Sequence, residues 1–392
     1  MRRFLELRCN SNLFGSTTVG WVIVVIFLSL ALLSTETPAR DYLFPYAPYL
    51  QIGFLVSVSA TAISCIRLKM YSASFLFLVL LYVLCILAFA SSLWSTCGYL
   101  VIKRTFMIFG SSIIIALLAV SDTKPIETFT KLAQVMAIFG GAVSLLGLII
   151  YFFGNIEAKD FGLVQSLAHS PILSQRIYTS SSFLRISSLF GNPNNFASCL
   201  MLTLPMSIYL FLSRSYKIKV GCIFVILIQI CALLLTLSRA GILSTVLGMF
   251  LLLWISARKR FIQRKHVLIL LFFSMLIGII SLYFSGMYQT ERASIDLNSR
   301  DMIWYTLWQS ILNKPFLGVG FGVSYEAILE PKGLLFAAHN TYLAILSELG
   351  IPGFILFVLV WIFPILNGRN KLKNASTSTS LPLATSLAIS VA

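Results

Sequence analysis

Charge is what this chain has least of. Of its 392 residues only 11% are Asp, Glu, Lys or Arg, against about 25% in a soluble domain. Acidic groups are the scarcer kind, 13 against 29 basic ones, for a formal net charge of +16. With 58% hydrophobic residues and a mean hydropathy of +0.92, no water-soluble fold could hide the apolar surface, so lipid must solvate most of it. Histidine occurs three times, at 169, 266 and 339. Neither a CxxC pair nor a Cys/His cluster occurs among the seven cysteines, which argues against a zinc site and a disulfide framework. Cys65, Cys85, Cys199, Cys222 and Cys231 fall in apolar runs, where a thiol behaves as a small hydrophobe. The basic excess sits in short runs between apolar segments rather than on one polar face, which excludes nucleic acid as a partner.

What is present is a series of apolar runs near 20 residues long, the length of a membrane-crossing helix. Hydropathy predicts spans at about 19–34, 48–66, 73–93, 104–120, 128–153, 194–212, 219–237, 240–257, 267–285 and 341–363. An eleventh apolar stretch starts near Leu381 and is too short to cross before Ala392, which predicts a fragment or a re-entrant tail. The first span follows Arg2, Arg3 and Arg8 and lacks a clean small-residue cleavage pattern, as in an uncleaved signal anchor. Residues 374–380, NASTSTS, read as a linker.

With the N-terminus in the cytoplasm, 18 of the 29 basic residues fall in short cytoplasmic loops, as the positive-inside rule requires. The long loops 154–193 and 286–340 then lie outside. The domain division is five N-terminal helices over 1–153, the first outer loop 154–193, central helices over 194–285, the second outer loop 286–340, and C-terminal helices over 341–392.

Three places break the apolar pattern. Thr236-Leu237-Ser238-Arg239-Ala240-Gly241 is a tight hairpin between two spans, with Arg239 at the outer membrane face. A snorkelling side chain is the bland account. An ionisable group near membrane depth favours function. In the second outer loop, Arg300 opens a helical run in which Ile303, Trp304, Leu307, Trp308 and Ile311 share a face at 3/4 spacing, suited to an amphipathic helix at the membrane surface. Gly318, Gly320 and Gly322 follow Pro315. With no strand before them they read as a tight backbone turn, not a nucleotide fingerprint. Finally, His339 precedes Asn340-Thr341-Tyr342 where the last full span begins. A lone histidine is more often structural, but Arg239 and Arg300 are expected on the same side.

Two guanidinium forks match phosphate oxygens and stay charged at any relevant pH. They could hold a diphosphate and stabilise charge building on its departure. A histidine can take a proton from an attacking hydroxyl. A phosphate-bearing lipid in the outer leaflet suits such a set.

The chain resembles the O-antigen ligase and polymerase family of bacterial envelope glycosyltransferases over about residues 185–365. The resemblance rests on Arg185-Ile186-Ser187-Ser188-Leu189-Phe190-Gly191-Asn192-Pro193-Asn194-Asn195, Leu235-Thr236-Leu237-Ser238-Arg239-Ala240, Ser299-Arg300 with Trp304, Pro315-Phe316-Leu317-Gly318-Val319-Gly320, His339-Asn340-Thr341-Tyr342, and Glu348-Leu349-Gly350-Ile351-Pro352-Gly353. It implies an all-α, polytopic transmembrane helical bundle of about 10–12 spans with extracytoplasmic loop helices, glycosyltransferase-C-like, in the bacterial cytoplasmic membrane. It implies inverting transfer of a glycan from undecaprenyl diphosphate to an acceptor outside the cytoplasm, with no metal and no cofactor. Arg239 and Arg300 take the diphosphate by motif, and His339 the acceptor hydroxyl. Arg185 and Asn194 join them as substrate-binding candidates.

The acceptor choices are a lipid A core sugar (ligase), another lipid-linked repeat unit (polymerase, with a chain-length regulator as a further partner) and a protein hydroxyl (O-oligosaccharyltransferase). The first two rank nearly level. The rival classes are a transporter or flippase of lipid-linked oligosaccharides, for which Gln229 is the clearest mid-membrane polar residue, a metal enzyme using Glu291, Asp296, Asp301, Glu326 and Glu330, which show no ligand spacing, and a structural scaffold.

Overall fold

The computed structural model describes residues 72–121, 125–159, 162–168, 173–180, 183–213, 216–258, 289–334, 338, 340–374 and 382–386. The spans expected at 19–34, 48–66 and 267–285, and all three histidines, lie outside the described residues. In order, the chain forms α1 (Ser72–Ala90), α2 (Gly98–Ser121), α3 (Pro125–Phe153), β1 (Asn155–Lys159), β2 (Gly162–Ser166), β3 (Ser174–Ser180), β4 (Phe183–Arg185), α4 (Pro193–Ser213), α5 (Tyr216–Leu235), α6 (Arg239–Arg258), α7 (Gln289–Asn313) and α8 (Thr341–Asn374).

Among the described residues, five segments are long and apolar enough to cross a membrane: Leu76–Leu93, Pro125–Phe153, Pro193–Ser213, Arg239–Ser256 and Thr341–Leu372. Lys219–Leu235 is a shorter apolar helix. Outward faces carry exposed Leu76, Val83 and Phe89 on α1, Leu243, Leu247 and Trp254 on α6, and Ile355, Leu359 and Ile362 on α8. Soluble proteins do not leave apolar faces of that extent in water. This is a mainly helical, multi-pass membrane protein.

The described helices fall into two compact units. The first contains α3, the four strands, α4, α5 and α6. Helix α4 packs against α3, α5 and α6, and α3 also meets α5. Small residues permit that closeness. A Cβ on Gly140 of α3 would lie 2.4 Å from Thr203 Oγ1 on α4 and 2.7 Å from Gln229 Nε2 on α5. Gln229, wholly buried, donates Nε2 to Ala137 O at 3.3 Å and to Ser207 Oγ at 3.2 Å. The polar residue that a transport reading singled out is therefore tied to two neighbouring helices as interhelical glue.

The sequence pattern predicts a loop over 154–193. Part of that segment is instead an antiparallel meander of order β1-β2-β3-β4, with Val164 opposite Arg176 and Gln165 opposite Gln175. Both glutamines are buried. Gln165 Nε2 donates to Tyr151 O and Gly154 O, each at 2.9 Å, satisfying carbonyls left open at the end of α3. Gln175 Nε2 donates to Gln165 Oε1 at 3.2 Å, and its Oε1 accepts from Ser188 N at 3.0 Å. Side-chain amides thus bolt the sheet to the end of α3.

The second unit contains α7, α8, α1 and nearly all of α2. Helix α8 packs against α1 and α7 over a core that includes Leu81, Leu84, Val101, Ile303, Leu307, Phe321 and Leu349. The stripe that α7 buries is Ile303, Leu307 and Ile311. It is narrower than the expected face, because Trp304 and Trp308 stay partly exposed at its border. The glycines after Pro315 form the tight turn that the sequence pattern predicts. Gly318, Gly320 and Gly322 have φ of +63°, +116° and +73°. Helix α8 is broken at Gly350 (φ 66°, ψ −169°), so the segment expected as one span changes direction nine residues in.

Candidate functional site

In the first unit the residues singled out by sequence gather at one end, where α3 finishes, the sheet sits, α4 begins and the α5–α6 turn lies. Asn192-Pro193-Asn194 is a helix start. Asn192 is the N-cap, its Oδ1 accepting from Asn194 N at 2.8 Å, and Pro193 takes the first helical position, where its missing N–H costs nothing. Asn194 is exposed one residue further on. The α5–α6 turn is held as tightly. Ser238 N donates to Thr236 Oγ1 at 3.2 Å, Ser238 Oγ accepts from Gly241 N at 3.4 Å, and Ser238 O from Ile242 N at 2.9 Å. Leu237 takes φ of +49°, a left-handed conformation rare outside glycine and kept only where surroundings enforce it.

Arg239 is the first residue of α6 and is exposed. A cation at a helix N-terminus adds to the positive end of the helix dipole and weakens the helix. The same combination of guanidinium and open backbone N–H groups favours an anion. Arg185, at the end of β4, straps this turn. Its Nε donates to Thr236 O at 2.8 Å and its Nη2 to Asn194 Oδ1 at 3.2 Å, while Ile186 N donates to Leu235 O at 3.1 Å. Arg185, Asn194 and the turn carrying Arg239 are therefore brought together.

Arg300 belongs to the second unit, exposed on α7. One turn further along, Trp304 donates Nε1–H to Ala338 O at 3.0 Å. Ala338 is buried. Asn340 caps α8, its Oδ1 accepting from Tyr342 N at 3.1 Å and Leu343 N at 3.2 Å. His339 lies outside the described residues, and both of its chain neighbours are pinned, one to α7 and the other to the start of α8.

Sequence reasoning missed what holds this unit's loops. Glu348, buried on α8, accepts from Gly322 N at 2.8 Å, Ser324 N at 3.3 Å and Ser324 Oγ at 2.7 Å. The backbone adds Val319 N to Ser347 O at 3.1 Å, Gly320 N to Glu348 O at 2.9 Å and Ile351 N to Pro315 O at 2.8 Å. From the other side Phe321 N donates to Ser91 Oγ at 2.9 Å, and Trp94 Nε1 to Leu317 O at 3.0 Å. Glu326, one of the acidic residues of the metal-enzyme alternative, is engaged by Arg104. Those hydrogen bonds hold its carboxyl below the usual carboxylate range. Among the described residues no three His, Cys, Asp or Glu side chains are grouped as metal ligands would be.

Comparison with known proteins adds two findings. The sequence profile of the O-antigen ligase family matches residues 223–358, a stretch that includes Arg239, Arg300 and His339. The ComP-specific O-oligosaccharyltransferase of Acinetobacter baylyi (strain ATCC 33305 / BD413 / ADP1) is 28% identical over 238 residues, covering 55% of this chain. This chain spans 43% of that relative, less than half its length.

Proposed function

We propose that this chain, whose residues 223–358 match the O-antigen ligase profile, is a membrane glycosyltransferase that moves a glycan from a polyprenyl diphosphate, such as undecaprenyl diphosphate, to an acceptor hydroxyl outside the cytoplasm, in O-antigen or surface-polysaccharide assembly. The single observation that supports this reading is the exposed Arg239 at the first position of α6, where a guanidinium and a helix N-terminus together favour an anion.

In this mechanism Arg239 and Arg300 hold the diphosphate. His339 accepts the proton of the acceptor hydroxyl, whose oxygen attacks the anomeric carbon. The bond from that carbon to the diphosphate oxygen breaks with inversion, and lipid diphosphate leaves with the electron pair. The arginines stabilise charge that grows as the bond breaks. No metal or cofactor takes part. The active site lies on the extracytoplasmic face of the bacterial inner membrane.

The acceptor is a sugar hydroxyl on lipid A core or on a second lipid-linked unit, and the alternative is a protein hydroxyl, which the name of the Acinetobacter relative, an O-oligosaccharyltransferase, keeps in view. Purified protein in liposomes, given labelled lipid-linked glycan alone, separates them. A ladder of products means polymerisation, whereas transfer that waits for added core lipid or acceptor protein means ligation or protein glycosylation. In each assay Arg239→Ala, Arg300→Ala and His339→Ala abolish transfer while the protein stays in the membrane, and full activity in any one ends that residue's role. The Arg239/Arg300 double variant loses no more than either single variant, as residues serving one ligand do.

A further inference from the structure

We infer that Gly241 is a positioning residue: its lack of a side chain lets the first turn of α6 close on the start of α4, and that contact sets where Arg239 stands. The inference rests on the role proposed for Arg239 above. Gly241 is the third residue of α6, two after Arg239. Ala197 is the fifth residue of α4 and follows Asn194 by three, a spacing that makes them neighbours on the helix surface. A Cβ on Gly241 would lie 2.5 Å from the Cβ of Ala197, which is itself wholly buried. Apolar carbons rest about 3.5–4.0 Å apart, so a methyl at 241 would push the first turn of α6 aside by about 1 Å or more. Arg239 belongs to that turn and moves with it.

Neither helix formation nor cohesion of the unit asks for this glycine. Glycine is a poorer helix former than alanine, and Gly241 is not one of the described glycines with a positive φ. Cohesion comes from larger neighbours: Phe196, Leu200 and Ile242 share one buried cluster. What the glycine adds is closeness of the two backbones. It is also part of the frame of the turn. Its N donates to Ser238 Oγ at 3.4 Å and its O accepts from Thr245 Oγ1 at 2.7 Å, so a shift at this position is a shift of the whole first turn. The turn that carries Arg239 is thus set from two sides, by Arg185 on Thr236 O and by Ala197 against Gly241. A displacement of about 1 Å at a reacting group costs up to a hundredfold in rate.

The test uses the full-length purified protein in liposomes. The donor is undecaprenyl-diphosphate-linked glycan extracted from the source cells and labelled with a fluorophore, and unlabelled undecaprenyl diphosphate serves as product inhibitor. Below its melting transition, Gly241→Ala is expected to lower turnover about ten- to a hundredfold. It raises the inhibition constant for undecaprenyl diphosphate about tenfold or more, as the loss of a charge-assisted hydrogen bond does, and leaves KM for the acceptor within about twofold of the parent. Adding Ala197→Gly removes the opposing methyl and restores both values, because the nearest neighbour of a Cβ at 241 is then Ser238 Oγ at 3.2 Å. A purely structural glycine would lower the melting temperature and leave the inhibition constant of the folded protein unchanged. Parental turnover in Gly241→Ala overturns the inference, as does an unchanged inhibition constant or a double variant that folds without recovering. A Gly241→Ala protein that does not accumulate in the membrane overturns it too, since the glycine then serves folding alone. Arg239→Ala, measured in parallel, separates the two levels. If it is inactive while Gly241→Ala is normal, only the role of Gly241 falls. If it is fully active, the reading of Arg239 fails and takes this inference with it.

Discussion

Arg104 grips Glu326 across 222 residues of chain, Nη1 donating to Oε2 at 2.8 Å and Nη2 to Oε1 at 2.6 Å. Its Nη1 also donates to Gly322 O. Helix α2 is thereby fastened to the segment that follows α7, at the level of the glycine turn. Arginine suits the post because its planar fork meets both carboxylate oxygens and still reaches a carbonyl.

That pair predicts a pH-dependent contribution to stability. Glu326 has its pKa lowered, first by the hydrogen bonds from Arg104. The pair's contribution is therefore complete above the ordinary glutamate pKa of about 4.3 and is lost as pH falls through the lowered value. The side chains are 35% and 21% exposed, so solvent screening leaves roughly 1 kcal/mol of it. Glu326→Gln lowers the melting temperature in detergent at neutral pH, and the gap to the parent closes as pH falls below about 4. A gap that stays constant across that range would count against the ion pair as its source.

Glu348 anchors the same turn from the opposite side. Its carboxylate meets two backbone N–H groups and one hydroxyl. In Glu348→Gln one acceptor oxygen becomes an amide NH2, which sets donor against donor. An unsatisfied buried donor costs about 1–3 kcal/mol. The variant melts earlier than the parent, and Glu348→Ala earlier still. Hydrogen exchange at Gly322 and Ser324 accelerates in both. Unaltered exchange at these two amides would show that Glu348 does not hold the turn.

Two glycines make the clamp possible, each by giving room to the other's segment. A Cβ on Gly318 would lie 2.3 Å from Glu348 O, and one on Gly350 2.5 Å from Phe316 C and O. Both have positive φ, +63° and +66°, so an added methyl meets backbone on one side and strain on the other. Gly318→Ala and Gly350→Ala are each expected to abolish accumulation of folded protein in the membrane. Gly221→Ala is the control. Nothing lies within 4 Å of its Cβ position, and alanine gains up to about 1 kcal/mol over glycine inside a helix. Normal levels of the first two variants in a fluorescence-detected gel filtration assay would contradict the packing described.

What could be read from the sequence divides along physical lines. Membrane helices were legible because burial in lipid demands a near-unbroken apolar run, and α3, α4 and α6 fall within a few residues of the expected spans. The sheet was not, because its strands have three to seven residues and place Gln165 and Gln175 inward, which erases the alternation that marks a strand. Arg239 and Arg300 stood out because charge is rare in this chain. Arg104 and Glu348 are equally rare kinds of residue, but their roles depend on partners 222 and 24–26 positions away, beyond any local pattern. In the sequence Trp304 is one member of an apolar stripe. Its N–H partner at Ala338 leaves no trace in periodicity.

Arg185 tests whether charge or geometry matters beside the α5–α6 turn. As a substrate ligand it would act mainly by its charge, and lysine would preserve much of that. As the strap seen here, it must donate at once to Thr236 O and Asn194 Oδ1, in directions set by the rigid guanidinium, which an ammonium on a flexible stem does not reproduce. Arg185→Lys and Arg185→Ala are therefore expected to lose activity alike, by roughly tenfold or more through displacement of Arg239. Asn194→Ala loses less, because the bond to Thr236 remains. Steady-state transfer by the purified variants decides the matter: activity kept by lysine and lost by alanine would return Arg185 to the diphosphate, and would leave the turn before Arg239 to be held by the bonds of Thr236 and Ser238 and by Ile186 N to Leu235 O.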